Sequence, residues 1–68
     1  MAAKYESRLR YYREKKGWSQ EQLARRLEVS RQTIVNIERG VSQPKVLLAI
    51  AIGALLGVAL TDLFKQPK

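Results

Sequence analysis

The sequence predicts an all-α chain of five short helices. Apolar residues recur at helical rather than alternating spacing, serine, glycine and proline punctuate the chain at short intervals, and no run reads as a strand. The expected helices cover residues 6–16, 20–27, 31–39, 45–56 and 60–64. Residues 1–68 are expected to form a single domain, with 65–68 as a frayed tail.

Each helix has its own warrant. Leu9, Tyr12 and Arg13 fall on one stripe of the first segment, and Gly17 supplies a left-handed stop. Ser19-Gln20-Glu21-Gln22 fits a capping box: the serine oxygen accepts from the Gln22 amide while the Gln22 side chain turns back. Leu23, Ala24 and Leu27 then continue at helical spacing. Glu28-Val29-Ser30 is a tight connection, with Ser30 as the next N-cap. Thr33, Ile34, Ile37 and Glu38 carry the third helix until Gly40 ends it. Val41-Ser42-Gln43-Pro44 reads as a loop, with Pro44 opening the fourth helix and Gly57 closing it. Leu60 to Phe64 adds a last turn or two.

Composition narrows the chemistry. A 68-residue chain buries only about 60% of the surface that it exposes when unfolded, so its core is marginal. It has no cysteine and no histidine, which excludes disulfide staples and thiolate or imidazole metal sites. No paired carboxylates, phosphate-cradling loop or nucleophile elbow is visible, so the expectation is a non-enzyme with no cofactor, no metal and no small-molecule ligand. Thirteen Lys and Arg against six Asp and Glu give a net charge of +7, which draws polyanions over a Debye length of about 8–10 Å. Nucleic acid and anionic membranes both satisfy that charge. The apolar run from Val46 to Leu60 is shorter than the roughly 20 residues that span a bilayer, and reads as a buried helix and turn. The first residues lack the apolar stretch of a secretory signal, and a cysteine-free chain suits a reducing cytoplasm, the expected location.

The informative stretch is 19–40, SQEQLARRLEVSRQTIVNIERG. It places two short helices around a connection of a few residues. Leu23, Ala24 and Leu27 on the first helix and Ile34 and Ile37 on the second point inward. Ala24 is small enough for the second helix to cross closely, and Val29 plugs the gap under the turn. The outward positions are then Arg31, Gln32, Thr33, Val35, Asn36 and Arg39. Arg, Gln and Asn are the side chains that make paired hydrogen bonds to guanine and adenine edges.

These residues resemble the helix-turn-helix of the phage-repressor, or xenobiotic-response-element, family of DNA-binding proteins. The likeness runs from about Arg8 to Phe64, through Ser19–Ala24, Val29–Ile34, Ile37–Gly40, Leu56-Gly57-Val58 and Leu63-Phe64. It implies a five-helix lambda-repressor-like domain that binds double-stranded DNA with helix 31–39 in the major groove. By the same resemblance Arg31, Gln32 and Asn36 face base edges, and Thr33 touches a thymine methyl or a phosphate. Gln20 bonds a phosphate at a helix amino end and braces the third helix. Arg39 and Ser42 lie near the DNA backbone, and Ser30 joins the phosphate candidates. Arg25 and Arg26 are either phosphate contacts or solubility charges, with Arg26 kept among the former. Arg13 and Glu38 match an internal ion pair. Tyr12 and Trp18 read as core or rim, Arg8, Arg10, Lys15 and Lys16 as a general field, and Tyr5 and Tyr11 have no assignment.

Three features depart from the family pattern. Glu28 occupies a turn position that usually holds glycine, at a cost of roughly 1–2 kcal/mol if left-handed. Ala59 stands where a serine-like cap begins the last helix, worth about 1 kcal/mol. Leu47, Leu48, Ile50, Ala51, Ala54 and Leu55 leave the outer face of the fourth helix apolar, where relatives are polar. A helix apolar all round wants burial on every side, so this face is expected to form a homodimer interface. Two-fold pairing suits half-sites about 34 Å apart. The competing expectation is an antitoxin-like or accessory module whose apolar helix covers a different protein; a membrane-surface role is the least favoured binding reading.

Overall fold

Short polar punctuation turns the chain into α1 (Leu9–Lys15), α2 (Gln20–Leu27), α3 (Arg31–Glu38), α4 (Val46–Leu56) and α5 (Leu60–Leu63), in a computed structural model that describes residues 3–66. The serine caps act as the sequence predicts. Ser19 Oγ accepts from the Gln22 amide at 3.0 Å while the Ser19 amide donates to Gln22 Oε1 at 2.8 Å, closing the capping box. Ser30 Oγ accepts from the Thr33 amide at 3.1 Å. Glu28 is left-handed (φ 57°, ψ 41°), as the glycine-type turn position requires. α5 starts at Ala59 with no side-chain cap.

The ends of the molecule depart from an all-helical reading. Glu6 and Ser7 form a strand, β1 (Glu6–Ser7), antiparallel to β2 (Phe64–Lys65), with Glu6 opposite Lys65 and Ser7 opposite Phe64. Two residues per strand are too few to leave an alternating pattern in sequence. The first helix therefore begins at Leu9 rather than at residue 6. The last helix stops at Leu63, because Phe64 is extended to pair with Ser7. Lys65, expected to fray, is in the ladder; residues 67–68 of that expected tail lie outside the described residues. The fourth helix begins at Val46: Lys45 is extended (ψ 158°), so Pro44 lies outside the first turn instead of opening it. The third ends at Glu38 with Arg39 as its C-cap, a one-residue difference of the kind that fraying ends show.

Leu9, Leu23, Ala24, Ile34, Ile37, Ile52, Leu56 and Leu63 form the buried core, one or more from each helix. Ala24 of α2 is buried in that core. α4 buries Ile52, Gly53 and Leu56 on one side, while Val46 (73% exposed), Leu47 (81%) and Ile50 (51%) stand in solvent on the other. Among the described residues no helix is long and apolar enough to cross a membrane.

Candidate nucleic-acid interface

α3 is anchored from beneath and polar above. Ile34 and Ile37 are fully buried, and the turn that delivers α3 is held by the Val29 amide donating to the Ala24 carbonyl at 3.0 Å. Arg31 and Gln32 are exposed, and Thr33, Val35 and Asn36 are half-buried. Gln32 Nε2 donates to Asn36 Oδ1 at 3.0 Å, one helical turn apart. That bond couples the two amides and does not use the glutamine oxygen or the asparagine amino group, an acceptor and a donor of the kind that match a base edge. The Thr33 hydroxyl is engaged locally, 2.8 Å from Ser30 Oγ, so its methyl is the part that remains for a neighbour.

A chain of polar contacts locks this face to the rest of the fold. Arg13 Nε donates to Glu38 Oε2 at 2.6 Å, with both side chains below a tenth exposed. Arg13 Nη1 also donates to the Trp18 carbonyl at 2.6 Å. Gln20 Nε2 donates to Glu38 Oε1 at 3.0 Å, and Gln20 Oε1 accepts from Arg31 Nη2 at 3.3 Å. The amide of Gln20 thus has a carboxylate at its amino side and a guanidinium at its carbonyl side, and charge permits only that orientation. α1, α2 and α3 are tied through one buried carboxylate.

The remaining candidates divide. Arg39 is exposed at the carboxyl end of α3, and with Arg10, Arg13, Ser19, Gln20, Val35 and Glu38 it lines a cleft of about 520 Å³ beside the amino end of α2. Arg10, read from sequence as part of a general field, stands on that cleft and pairs with Glu14 at 3.3 Å. Its place on the same flank of α1 as Glu14 was implicit in helical spacing. Ser30 and Ser42 are exposed on the loops that enter and leave α3. Arg26 is exposed and lies over the ring of half-buried Trp18, 4.3 Å from its centroid, at the rim of the core. Of the apolar residues assigned to a partner surface, Leu47, Ile50, Ala51 and Ala54 are exposed, whereas Leu48 and Leu55 are half-buried and pack against the core. Val46 belongs with the exposed set.

Tyr5 was left without a role by its sequence context, and it is buried. Its hydroxyl lies 3.1 Å from the Ile37 carbonyl and 2.7 Å from that of Ser42, and its ring meets Phe64 edge-on at 5.7 Å. Burial pushes the phenol above its ordinary value of 10.0, so it stays a donor. No amphipathic pattern announces such a residue, because it lies outside any helix.

Two short helices, α2 and α3, joined by a tight turn through left-handed Glu28, with the isoleucines of α3 buried and its polar residues on the other side, form a helix-turn-helix. Comparison with known proteins agrees: a helix-turn-helix family profile matches residues 9–63. The chain is 45% identical over 58 residues to an uncharacterised HTH-type transcriptional regulator of Methanocaldococcus jannaschii, spanning 85% of this chain and 88% of the relative. It is 40% identical over 58 residues to another of Archaeoglobus fulgidus, spanning 85% and 83%. Among solved structures, a hypothetical transcription factor from Neisseria superposes with a TM-score of 0.72 at 36% identity, over 87% of this chain and 68% of that one. The chain belongs to the helix-turn-helix family of lambda-repressor-like transcriptional regulators, and DNA binding in transcription regulation is the function that membership gives.

Proposed function

We propose that the protein is a sequence-specific repressor that occupies an operator as a homodimer, each α3 lying in the major groove of one half-site. Arg31, Gln32 and Asn36 read base edges, and the Thr33 methyl meets a thymine. Gln20, Ser30, Arg39, Ser42 and Arg26 hold phosphates. The observation that carries this reading is the hydrogen-bonded Gln32–Asn36 amide pair on the helix that buries Ile34 and Ile37. The +7 charge supplies salt-dependent affinity for any duplex, and the amide pair and Arg31 supply discrimination. Such a domain works in the cytoplasm, where its DNA is.

Leu47, Ile50, Ala51 and Ala54, with Val46, form the surface through which we pair two copies. The same uncovered face is the one observation favouring an accessory module that binds a different protein. Two measurements divide these readings. Selection from a random duplex pool is expected to yield a palindromic consensus, and size-exclusion chromatography with light scattering a dimer that Leu47→Glu converts to a folded monomer. A sequence-indifferent pool rejects the operator reading; a wild-type monomer that acquires a defined mass only with another protein favours the accessory module.

A further inference from the structure

The segment before β1 does more than begin the chain. Lys4 donates its backbone N–H to the Gly40 carbonyl at 2.7 Å, and the Tyr5 hydroxyl reaches the carbonyls of Ile37 and Ser42. Residues 4 and 5 therefore grip the carboxyl end of α3 and the loop that leaves it, through the Lys4 amide and through one hydroxyl, which has a single proton to give and lies closer to the Ser42 carbonyl than to that of Ile37. The approach is close: a Cβ on Gly40 would overlap the Tyr5 carbonyl oxygen and meet Ala3 Cβ at 3.2 Å. Tyr5 also has its ring braced by Phe64 of β2, so the hydroxyl is carried by a fixed platform, not by a floating arm.

The shorter of the two hydroxyl contacts, 2.7 Å to Ser42, sets the direction of a peptide plane. In a trans peptide the carbonyl and the following N–H point opposite ways, and the described chain has no cis bond. Drawing the Ser42 carbonyl inward turns the Gln43 N–H outward, on a residue that is itself exposed. Ser42 and Gln43 are both exposed, separated from Arg39 and Gly40 by Val41 alone. A neutral main-chain donor held in a fixed direction is well suited to a phosphate oxygen, since its orientation costs nothing at the moment of binding.

We infer that Tyr5 is a positioning residue for DNA: its hydroxyl, by holding the Ser42 carbonyl inward, aims the Gln43 backbone N–H at a phosphate of the bound duplex. This rests on the operator-reading function proposed above. Tyr5 touches no DNA, contributes no charge and reads no base. Its effect falls on one backbone contact, the same for every sequence.

The test is a scan of single methylphosphonate substitutions through the selected duplex, each removing the charge of one phosphate. Wild-type affinity is expected to drop at the phosphate beside the loop. Tyr5→Phe keeps the ring on Phe64 and loses only the hydroxyl. It is expected to bind selected and scrambled duplexes about tenfold more weakly, as for a lost hydrogen bond to a charged group, and to become indifferent to that one methylphosphonate while keeping the rest of the profile. An unchanged profile, with only a lower melting temperature, overturns the inference. Should Tyr5→Phe fail to fold, synthesis of the 68-residue chain with an ester in place of the Gln43 amide deletes the donor directly; the same phosphate must then fall silent, and its continued sensitivity overturns the inference. A wild-type protein without sequence preference sinks the operator reading instead, which separates the two failures.

Discussion

Residues 19–40 and residues 44–66 are both helical and of similar length, yet they are held in different ways. The first stretch is specified by local chemistry. Both of its helices start at serines whose side chains cap them, its turn takes a left-handed residue, and Gln20 bonds Glu38 within it, with Arg13 of α1 as the one charge supplied from outside. The second has no side-chain cap on either helix, and α4 has no polar side chain at all. Burial of Ile52, Leu56 and Leu63 holds it, together with the ladder to β1. A segment that must present a polar face to a partner has its helix ends settled by its own caps and turn. One that serves as a packing platform takes its conformation from what covers it, and on α4 that cover is incomplete.

The difference predicts where the molecule breaks. Glu38→Ala strands Arg13, whose side chain is only 9% exposed, and removes the acceptor that orients Gln20. Breaking such a buried pair is expected to cost about 3–5 kcal/mol, read as a fall in the urea midpoint. It should also free Arg31 and weaken DNA binding under conditions where the variant remains folded. A loss under 1 kcal/mol would mean that the network decorates the fold rather than holding it.

The glycines at the ends of α3 and α4 give a finer contrast. Gly40 and Gly57 are both left-handed (φ 72° and 69°), so alanine at either costs about 1–2 kcal/mol in backbone strain. Only Gly40 has neighbours in the way, the Tyr5 carbonyl and Ala3, whereas Gly57 has none within 4 Å. Gly40→Ala is therefore expected to lower the melting temperature clearly more than Gly57→Ala. Equal losses would mean that the strand segment yields, and that its grip on α3 is loose.

The smallest effect lies at the uncapped start of α5. Ala59 is extended (φ −65°, ψ 145°) and has no side chain to offer the Asp62 amide. Ala59→Ser is expected to add about 0.5–1 kcal/mol, measured by denaturant unfolding. No gain would show that α5 is set by Leu63 in the core and not by its own terminus.

These contrasts also explain what the sequence made legible. Capping serines, the glycine stops and the inward isoleucines carry local signatures, so the boundaries of α2 and α3 could be read within a residue. The outward set Arg31, Gln32 and Asn36 followed from the same periodicity. The β1–β2 pair was invisible because Glu6 and Lys65 lie at opposite ends of the chain, and two residues make no pattern. Tyr5 was missed for the same reason: its partners, Ile37, Ser42 and Phe64, are all remote in sequence. On α4, composition told that burial was wanted but not which residues the core would take; Leu48 and Leu55 went to it, and Val46 to solvent.

The polar face of α3 is proposed to discriminate bases. The most direct test is the affinity of wild type and Gln32→Ala for the selected duplex and for every single base-pair change within one half-site. The prediction is a loss of roughly 1–3 kcal/mol on the selected duplex that vanishes at one or two neighbouring base pairs, where the variant no longer cares which base is present. A loss of the same size on every duplex, the scrambled one included, would contradict it.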